Sequence, residues 1–303
     1  MTLAGEHDAL LFDLDGTVWH GDTPIPEAVA ALRDLDPIYL TNNASKAPEE
    51  VQSKLRGMGL PAGTVLTSAQ AAVTLAHQMA PGARVLVLGA DSFRELAQAM
   101  GLQVVDSAED DPQVVLHGHS PETGWAQLSE AALAIQRGAR YIASNRDTSL
   151  PSERGLLVGN GSMVAAVESA TGVRAIAAGK PETRMFEQAA ADAENPLVIG
   201  DRLDTDIAGG NAAGMATLHV LTGVSGAQEL LAAPPEHRPT YVARDVSALA
   251  CSSHLLRPGP QASVCAYREG DAVVVEGEDD PYRRLLAALP VAWAGSFSEV
   301  RGL

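Results

Sequence analysis

An α/β fold built around a largely parallel sheet is predicted by three features of this 303-residue sequence. Short apolar runs alternate with amphipathic stretches along most of the chain, the pattern of repeating strand–helix units. Four of those runs stop at polar residues. Ala9-Leu10-Leu11-Phe12 meets Asp13, Pro37-Ile38-Tyr39-Leu40 meets Thr41-Asn42-Asn43, Ala175-Ile176-Ala177-Ala178 meets Gly179-Lys180, and Leu197-Val198-Ile199 meets Gly200-Asp201. Polar groups just past the carboxyl ends of parallel strands are where open α/β sheets bind ligands, so these four segments are expected to converge on one crevice. The third feature is a long insert between the second and third runs, with an α/β pattern of its own.

In chain order, residues 1–67 and 176–250 are expected to form a Rossmann-like core. The insert, 68–175, is expected to be a cap domain over the crevice. Within it, 85–88, 114–116 and 141–143 read as strands. Helices are expected over 92–100, 125–137 and 162–170, with Ser162 as the N-cap of the last and Trp125 in the core rather than at a ligand. The core is expected to close with strands at 217–220 and 240–243. Beyond residue 250 the pattern changes. Strands over 263–267 and 272–276 around Glu269-Gly270-Asp271 read as a hairpin, followed by a helix over 281–289. Residues 251–303 are therefore expected to be a small, separate α+β extension.

Composition narrows the function classes. Apolar residues make up 46% of the chain and charged residues 19%, as in a globular protein. The apolar runs fall far short of the ~20 residues that span a bilayer. The first residues carry neither a basic segment nor a long apolar one, which argues against secretion. Cys251 and Cys265 are too few for a disulfide framework and badly spaced for a metal site, so a cytoplasmic location is expected. A formal charge of −17 disfavours nucleic acid or an anionic membrane as partner. It also means that an anionic substrate needs a locally positive site. Only Lys46, Lys54 and Lys180 occur, so a lysine inside a motif stands out.

The strongest motif is Asp13-Leu14-Asp15-Gly16-Thr17. Residues i and i+2 of an extended segment point the same way, so both carboxylates can face one metal and one phosphate. Gly16 allows close backbone approach. Asp13 is the candidate nucleophile and a metal ligand, and Asp15 the candidate acid and base. An Asx turn after a buried strand is the alternative. Gly200-Asp201-Arg202-Leu203-Asp204-Thr205-Asp206 is the second acidic segment. Oxygen donors without nearby Cys or His select a hard cation such as Mg²⁺. Asp201 is the expected ligand and Asp206 its supporting partner; a solvated acidic turn is the alternative. Thr41-Asn42-Asn43 offers a hydroxyl and amides to phosphate oxygens, and Lys180 offers a full positive charge. Pro181 is expected at the first position of a helix.

Together these four segments resemble the haloacid dehalogenase (HAD) superfamily of phosphatases, in motif content, order and spacing. The insert between the second and third motifs resembles the branch with a C2-type cap, subfamily IIA, as do Asn145-Arg146-Asp147-Thr148 and Gly159-Asn160-Gly161-Ser162. The resemblance implies Asp13 and Asp201 as Mg²⁺ ligands by side chain and Asp15 by its main-chain carbonyl. It implies hydrolysis of a small phosphomonoester through an aspartyl phosphate. Phosphoglycolate, pyridoxal phosphate, glycerol phosphate, para-nitrophenyl phosphate and sugar phosphates are the substrate classes in view. The Pro-rich, Lys-poor style and the C-terminal extension resemble the actinobacterial glycerol 3-phosphate phosphatases of this branch, which puts glycerol 3-phosphate first.

Where that branch often carries a Gly-aromatic-Asp sequence, this chain has His117-Gly118-His119-Ser120, a departure that bears on substrate identity. These histidines read as hydrogen-bonded loop residues more readily than as a transition-metal pair. Gly159-Asn160-Gly161 lacks the third glycine and the acidic residue of a dinucleotide loop. Arg146, Glu153 and Arg154 are the cap residues expected to bear on specificity, and a homodimer through the cap is the expected assembly. Two rivals remain: a phosphotransferase or mutase of the same superfamily, and a receiver-like signalling module phosphorylated without turnover. A substrate-enclosing cap and the acid/base Asp15 argue against the second.

Overall fold

The computed structural model describes residues 1–152 and 154–303; Glu153, one of the expected specificity residues, lies outside them. The chain divides into two compact units. Met1–Tyr39, Leu55–Thr64 and Ala190–Leu303 form the first, and Leu40–Lys54 with Val65–Ala189 the second. The expected insert falls inside the second unit and the expected extension inside the first. Among the described residues no helix is long and apolar enough to cross a membrane.

A six-stranded sheet has the hydrogen-bonded order Tyr241–Ala243, Ala216–Val220, Pro196–Gly200, Ala9–Phe12, Ile38–Thr41, Thr64–Thr67. Its pairings from Ile38–Thr41 to Tyr241–Ala243 are parallel, with Phe12 opposite Ile199 and Gly200 opposite His219. Leu11, Phe12, Leu197 and Ile199 are all fully buried. Strands covered on both faces read as continuous apolar runs rather than alternating ones, which is why the runs were visible in the sequence.

The C-terminal residues are part of the first unit's core. Val264–Glu269 and Ala272–Gly277 form the expected hairpin, and Glu299–Arg301 adds a parallel third strand that the sequence did not announce. Val273, Val275, Leu285, Leu286 and Leu289 share one core cluster with Leu203, Ile207, Leu230, Leu231 and Val242. The helix runs Pro281–Trp293, through Pro290 and past the expected stop at 289. A proline inside a helix leaves the carbonyl four residues back without its donor. That carbonyl belongs to Leu286, and the Gly259 amide donates to it at 3.0 Å.

The second unit holds a five-stranded parallel sheet in the order Ile176–Ala177, Arg140–Ala143, Val114–His117, Arg84–Leu88, Gln103–Val105. Ile176–Ala177 thus pairs here, beside Ile142 and Ala143, and not in the six-stranded sheet where the four-run pattern had placed it. Helices Trp125–Gln136 and Asn160–Thr171 bury Ala131, Ala134, Ile135, Val164 and Val167 against Leu86, Leu88, Val115 and Tyr141.

Three local expectations are corrected here. Trp125 is 85% exposed at the first turn of its helix, not in the core. The last helix of the insert starts at Asn160, so Ser162 is not its N-cap; the Ser162 hydroxyl donates to Thr148 O at 2.8 Å. His117 ends a strand rather than sitting in a loop.

The glycines around Asn160 have a packing reason. A Cβ on Gly159 would strike Asp147 O and one on Gly161 would strike Arg146 O, so the helix start can lie against the 146–149 backbone only with glycine there. Asn160 pins the same approach, donating to Asn145 O at 3.0 Å and His117 O at 3.3 Å.

Candidate active site

In the first unit the acidic residues are brought together by strand register. Phe12 and Ile199 are paired, and the Asp13 amide extends that ladder by donating to Ile199 O at 2.8 Å. Asp201 follows Gly200 at the end of the neighbouring strand. Asp206 returns to the same place through the π-helical turn Leu203–Ile207. One carboxylate oxygen from each of Asp13, Asp201 and Asp206 lies within 4.8 Å of the other two, and Asp201 and Asp206 are buried. Two such charges repel by about 3.5 kcal/mol at an effective dielectric near 20, so the trio calls for a cation. A purely carboxylate donor set fits a hard divalent ion and excludes a soft one.

Small residues shape this centre. Gly16 has φ +89, and a Cβ there would lie 2.5 Å from Asp201 Oδ2. A Cβ on Gly223 would collide with the Asp201 carboxylate, and one on Gly200 with Asp206. Asp206 Oδ2 accepts from the Arg202 amide at 3.1 Å, closing the turn.

Asp15 is exposed and stands apart from the trio. Its Oδ1 accepts from the indole Nε1 of buried Trp19 at 2.8 Å. A carboxyl group anchored at one oxygen and open at the other suits transfer of a proton.

The sequence reading missed the segment after the next strand, Ala216–Val220. Thr222 donates its hydroxyl to Gly16 O at 2.6 Å, the Val224 amide donates to Asp201 Oδ2 at 2.6 Å, and the Ser225 amide donates to Asp201 O at 3.2 Å. Buried His219 lies 2.9 Å from Ser225 O through Nε2. A carbonyl only accepts, so Nε2 carries the proton. Burial pushes this imidazole down to about 4, and it is neutral near pH 7. The strand-end reasoning that found Asp13 and Asp201 applies equally to Leu221-Thr222-Gly223-Val224-Ser225-Gly226.

In the second unit Asn42 ties the other two motifs together. Its Oδ1 accepts from the Lys180 amide at 2.9 Å, and its Nδ2 donates to Lys180 O and to Asp147 Oδ2, each at 3.1 Å. Its own carbonyl accepts from Ser68 Oγ and Asn145 Nδ2, each at 2.7 Å. Buried Lys180 donates from Nζ to Leu40 O at 3.3 Å. Thr41 Oγ1 accepts from the Asn43 amide at 3.1 Å, and Asn43 Oδ1 caps Ser45 at 2.9 Å. The short helix after Lys180 starts at Thr183, so Pro181 precedes it rather than opening it.

Of the other expected residues, Arg146 is engaged by Glu168 Oε1 at 2.5 Å and Ala175 O at 2.9 Å. Arg154 is exposed on the turn of the hairpin Ser149–Ser152 and Gly155–Val158. His117 is buried with its Nδ1 2.7 Å from Tyr141 Oη, and burial pushes it down to about 4.

Residues 10–103 match the family of haloacid dehalogenase-like hydrolases, and residues 177–249 match a family described as HAD-hydrolase-like. The D-glycerol 3-phosphate phosphatase of Mycobacterium tuberculosis is 45% identical, over 96% of this chain and 87% of its own length. The chain belongs to the haloacid dehalogenase-like hydrolase family. As a family member it is an enzyme, and its α/β folds with parallel sheets are those of its relatives. A crystal structure of the glycerol phosphate phosphatase from the same organism, in complex with magnesium, superimposes with a TM-score of 0.94 at 44% identity, covering 99% of this chain and 94% of that one. An acid sugar phosphatase of Staphylococcus saprophyticus is 36% identical over 80% of this chain and 96% of its own length.

Proposed function

We propose that this family member is a magnesium-dependent phosphatase that hydrolyses a small phosphomonoester, glycerol 3-phosphate first among the candidates, through an aspartyl phosphate on Asp13. The observation that carries the reading is the Asp13–Asp201–Asp206 cluster at the ends of two adjacent parallel strands. Bound magnesium would offset most of the charge of these carboxylates and polarise the phosphoryl group. Asp13 and Asp201 would hold it by side chain and Asp15 by its main-chain carbonyl, with Asp206 supporting the set.

An oxygen of Asp13 attacks phosphorus, the bond from phosphorus to the substrate alcohol breaks, and Asp15 gives its proton to the leaving oxygen. Water then attacks the same phosphorus and passes a proton to Asp15. The bond to Asp13 breaks and inorganic phosphate leaves. Thr41, Asn42, Asn43 and Lys180 are assigned to the phosphoryl oxygens. Asn42, engaged at both amide atoms, also sets the Lys180 backbone.

The choice of glycerol 3-phosphate is supported by the near-full-length likeness to the mycobacterial glycerol 3-phosphate phosphatase. Phosphoglycolate, pyridoxal phosphate and sugar phosphates are the alternatives, the last supported by the acid sugar phosphatase. Residues 68–175 are assigned as the C2-type cap that discriminates between alcohols. Arg154 is the stronger candidate there, since the Arg146 guanidinium is held by Glu168. A homodimer through the cap is supported by exposed Leu156, Leu157 and Val158 on its hairpin. A cytoplasmic location is supported by Cys251 and Cys265 both being free thiols.

Phosphate release by purified protein across a panel of phosphorylated metabolites tests the reading. Multiple turnover with magnesium, loss with chelator and inhibition by calcium are expected. Calcium takes six to eight oxygens and would engage both oxygens of Asp13. Stoichiometric phosphorylation without turnover would instead mean a signalling module, and full activity in excess chelator would remove the metal from the mechanism.

A further inference from the structure

We propose that Thr222 is a positioning residue for the metal centre, acting through the turn of the first motif. This rests on the phosphatase reading and deepens it. Two observations carry it, both within the first unit. The Asp201 carboxylate is enclosed on three sides: Gly16 and Gly223 each leave no room for a Cβ against it, and the Val224 amide donates to its Oδ2 at 2.6 Å. The turn that supplies Gly16 is held from the carboxyl end of the parallel strand Ala216–Val220, where the Thr222 hydroxyl donates to Gly16 O at 2.6 Å.

The consequence follows from connectivity. The Gly16 carbonyl adjoins the residue whose own carbonyl, that of Asp15, is assigned to the metal. Thr222, Gly223 and Val224 are consecutive, so one short segment grips both the turn and the carboxylate. Moving Thr222 off Gly16 O frees the turn to shift against Asp201, and the distance between two of the metal's ligands is then no longer fixed. Among the described residues, the Thr222 hydroxyl is the side-chain donor through which this segment holds the Gly16 turn. Val224 and Ser225 reach Asp201 through main-chain amides, which no substitution other than proline removes, and the Ser225 hydroxyl accepts instead from the Leu203 amide at 3.2 Å. The arrangement accounts for a β-branched hydroxyl residue at 222, where valine would fill the same volume and lose the donor.

The test uses the full chain. Magnesium affinity is measured by calorimetry for wild type, Thr222→Val and Thr222→Ser, with melting temperature in chelator recorded for each. Outer hydrogen-bonding partners of metal ligands typically contribute 10- to 100-fold in affinity. Thr222→Val is expected to weaken magnesium binding about 10-fold or more while its chelator-state melting temperature stays near wild type, and Thr222→Ser is expected to restore binding. Wild-type affinity in Thr222→Val overturns the proposal and leaves the phosphatase reading intact. So does a lowered melting temperature in chelator that accounts for the affinity loss and is not repaired by serine. If wild type itself binds no magnesium, the underlying reading fails first.

Discussion

Asp13 and Asp15 sit two residues apart and are treated very differently by their surroundings. Asp13 is tied into the strand ladder and joins two buried carboxylates, whereas Asp15 is exposed and held by one indole donor. Asp13→Asn keeps the volume and removes the attacking oxygen. Phosphate release is expected to fall more than about 100-fold with an unchanged circular dichroism spectrum. Activity above a hundredth of wild type would remove Asp13 as nucleophile. Asp15→Asn is expected to cost roughly 10² to 10⁴ in rate, because proton transfer to the leaving oxygen is lost. Stopped-flow phosphorylation with para-nitrophenyl phosphate should suffer less than with an alkyl phosphate, since a phenolate leaves without help. Equal losses on both would take the acid role away from Asp15.

At the scale of elements, the first motif and the acidic segment were legible because strands covered on both faces are unbroken apolar runs, and their ends are marked by a change to polar residues. Ile176–Ala177 shows where that logic stops. The run and its polar end were recognised, but the sheet it joins is set by pairing with Arg140–Ala143, a contact with no local sequence mark. The helix expected over 281–289 continues through Pro290 to Trp293 because a distant donor, the Gly259 amide, serves the Leu286 carbonyl and cannot be seen from the helix itself. Trp125 was misplaced because an amphipathic pattern does not say which residue of the first turn stays outside. Thr222 was passed over because its partner is a main-chain carbonyl far away in sequence. The start of the Asn160–Thr171 helix carries its own prediction. Gly161→Ala puts a methyl group into Arg146 O, and overpacking of this kind costs about 1–3 kcal/mol. Urea titration should show a lower midpoint, and an unchanged one would mean that the 146–149 backbone yields.

For the whole molecule, acid sensitivity follows in part from His117, beside the contribution of the equally shifted His219. Burial lowers its pKa to about 4 from an ordinary 6.5, so the unfolded chain binds this proton more readily than the folded one. Its stabilising effect is complete above pH 6.5 and is lost as pH falls towards 4, by about 3 kcal/mol at most. His117→Gln should flatten that part of the stability profile in denaturant titrations from pH 7 to 4, and a profile parallel to wild type would assign the acid loss to other groups. The C-terminal residues belong to this scale as well. Removing 251–303 uncovers Leu203, Ile207, Leu230, Leu231 and Val242 together, so the truncated chain is expected to be insoluble or to melt well below the full chain. A truncated protein with wild-type melting behaviour would make the extension an independent module. The turn Leu203–Ile207 gives this packing a wider meaning. Its apolar residues, Leu203 and Ile207, join the cluster shared with the extension, while Asp206 between them serves the acidic centre. A single turn therefore meets two structural demands. An engineer who wishes to shorten this enzyme cannot simply cut it: the turn's greasy side must be recoated, and the recoating chosen without rotating the acid it carries.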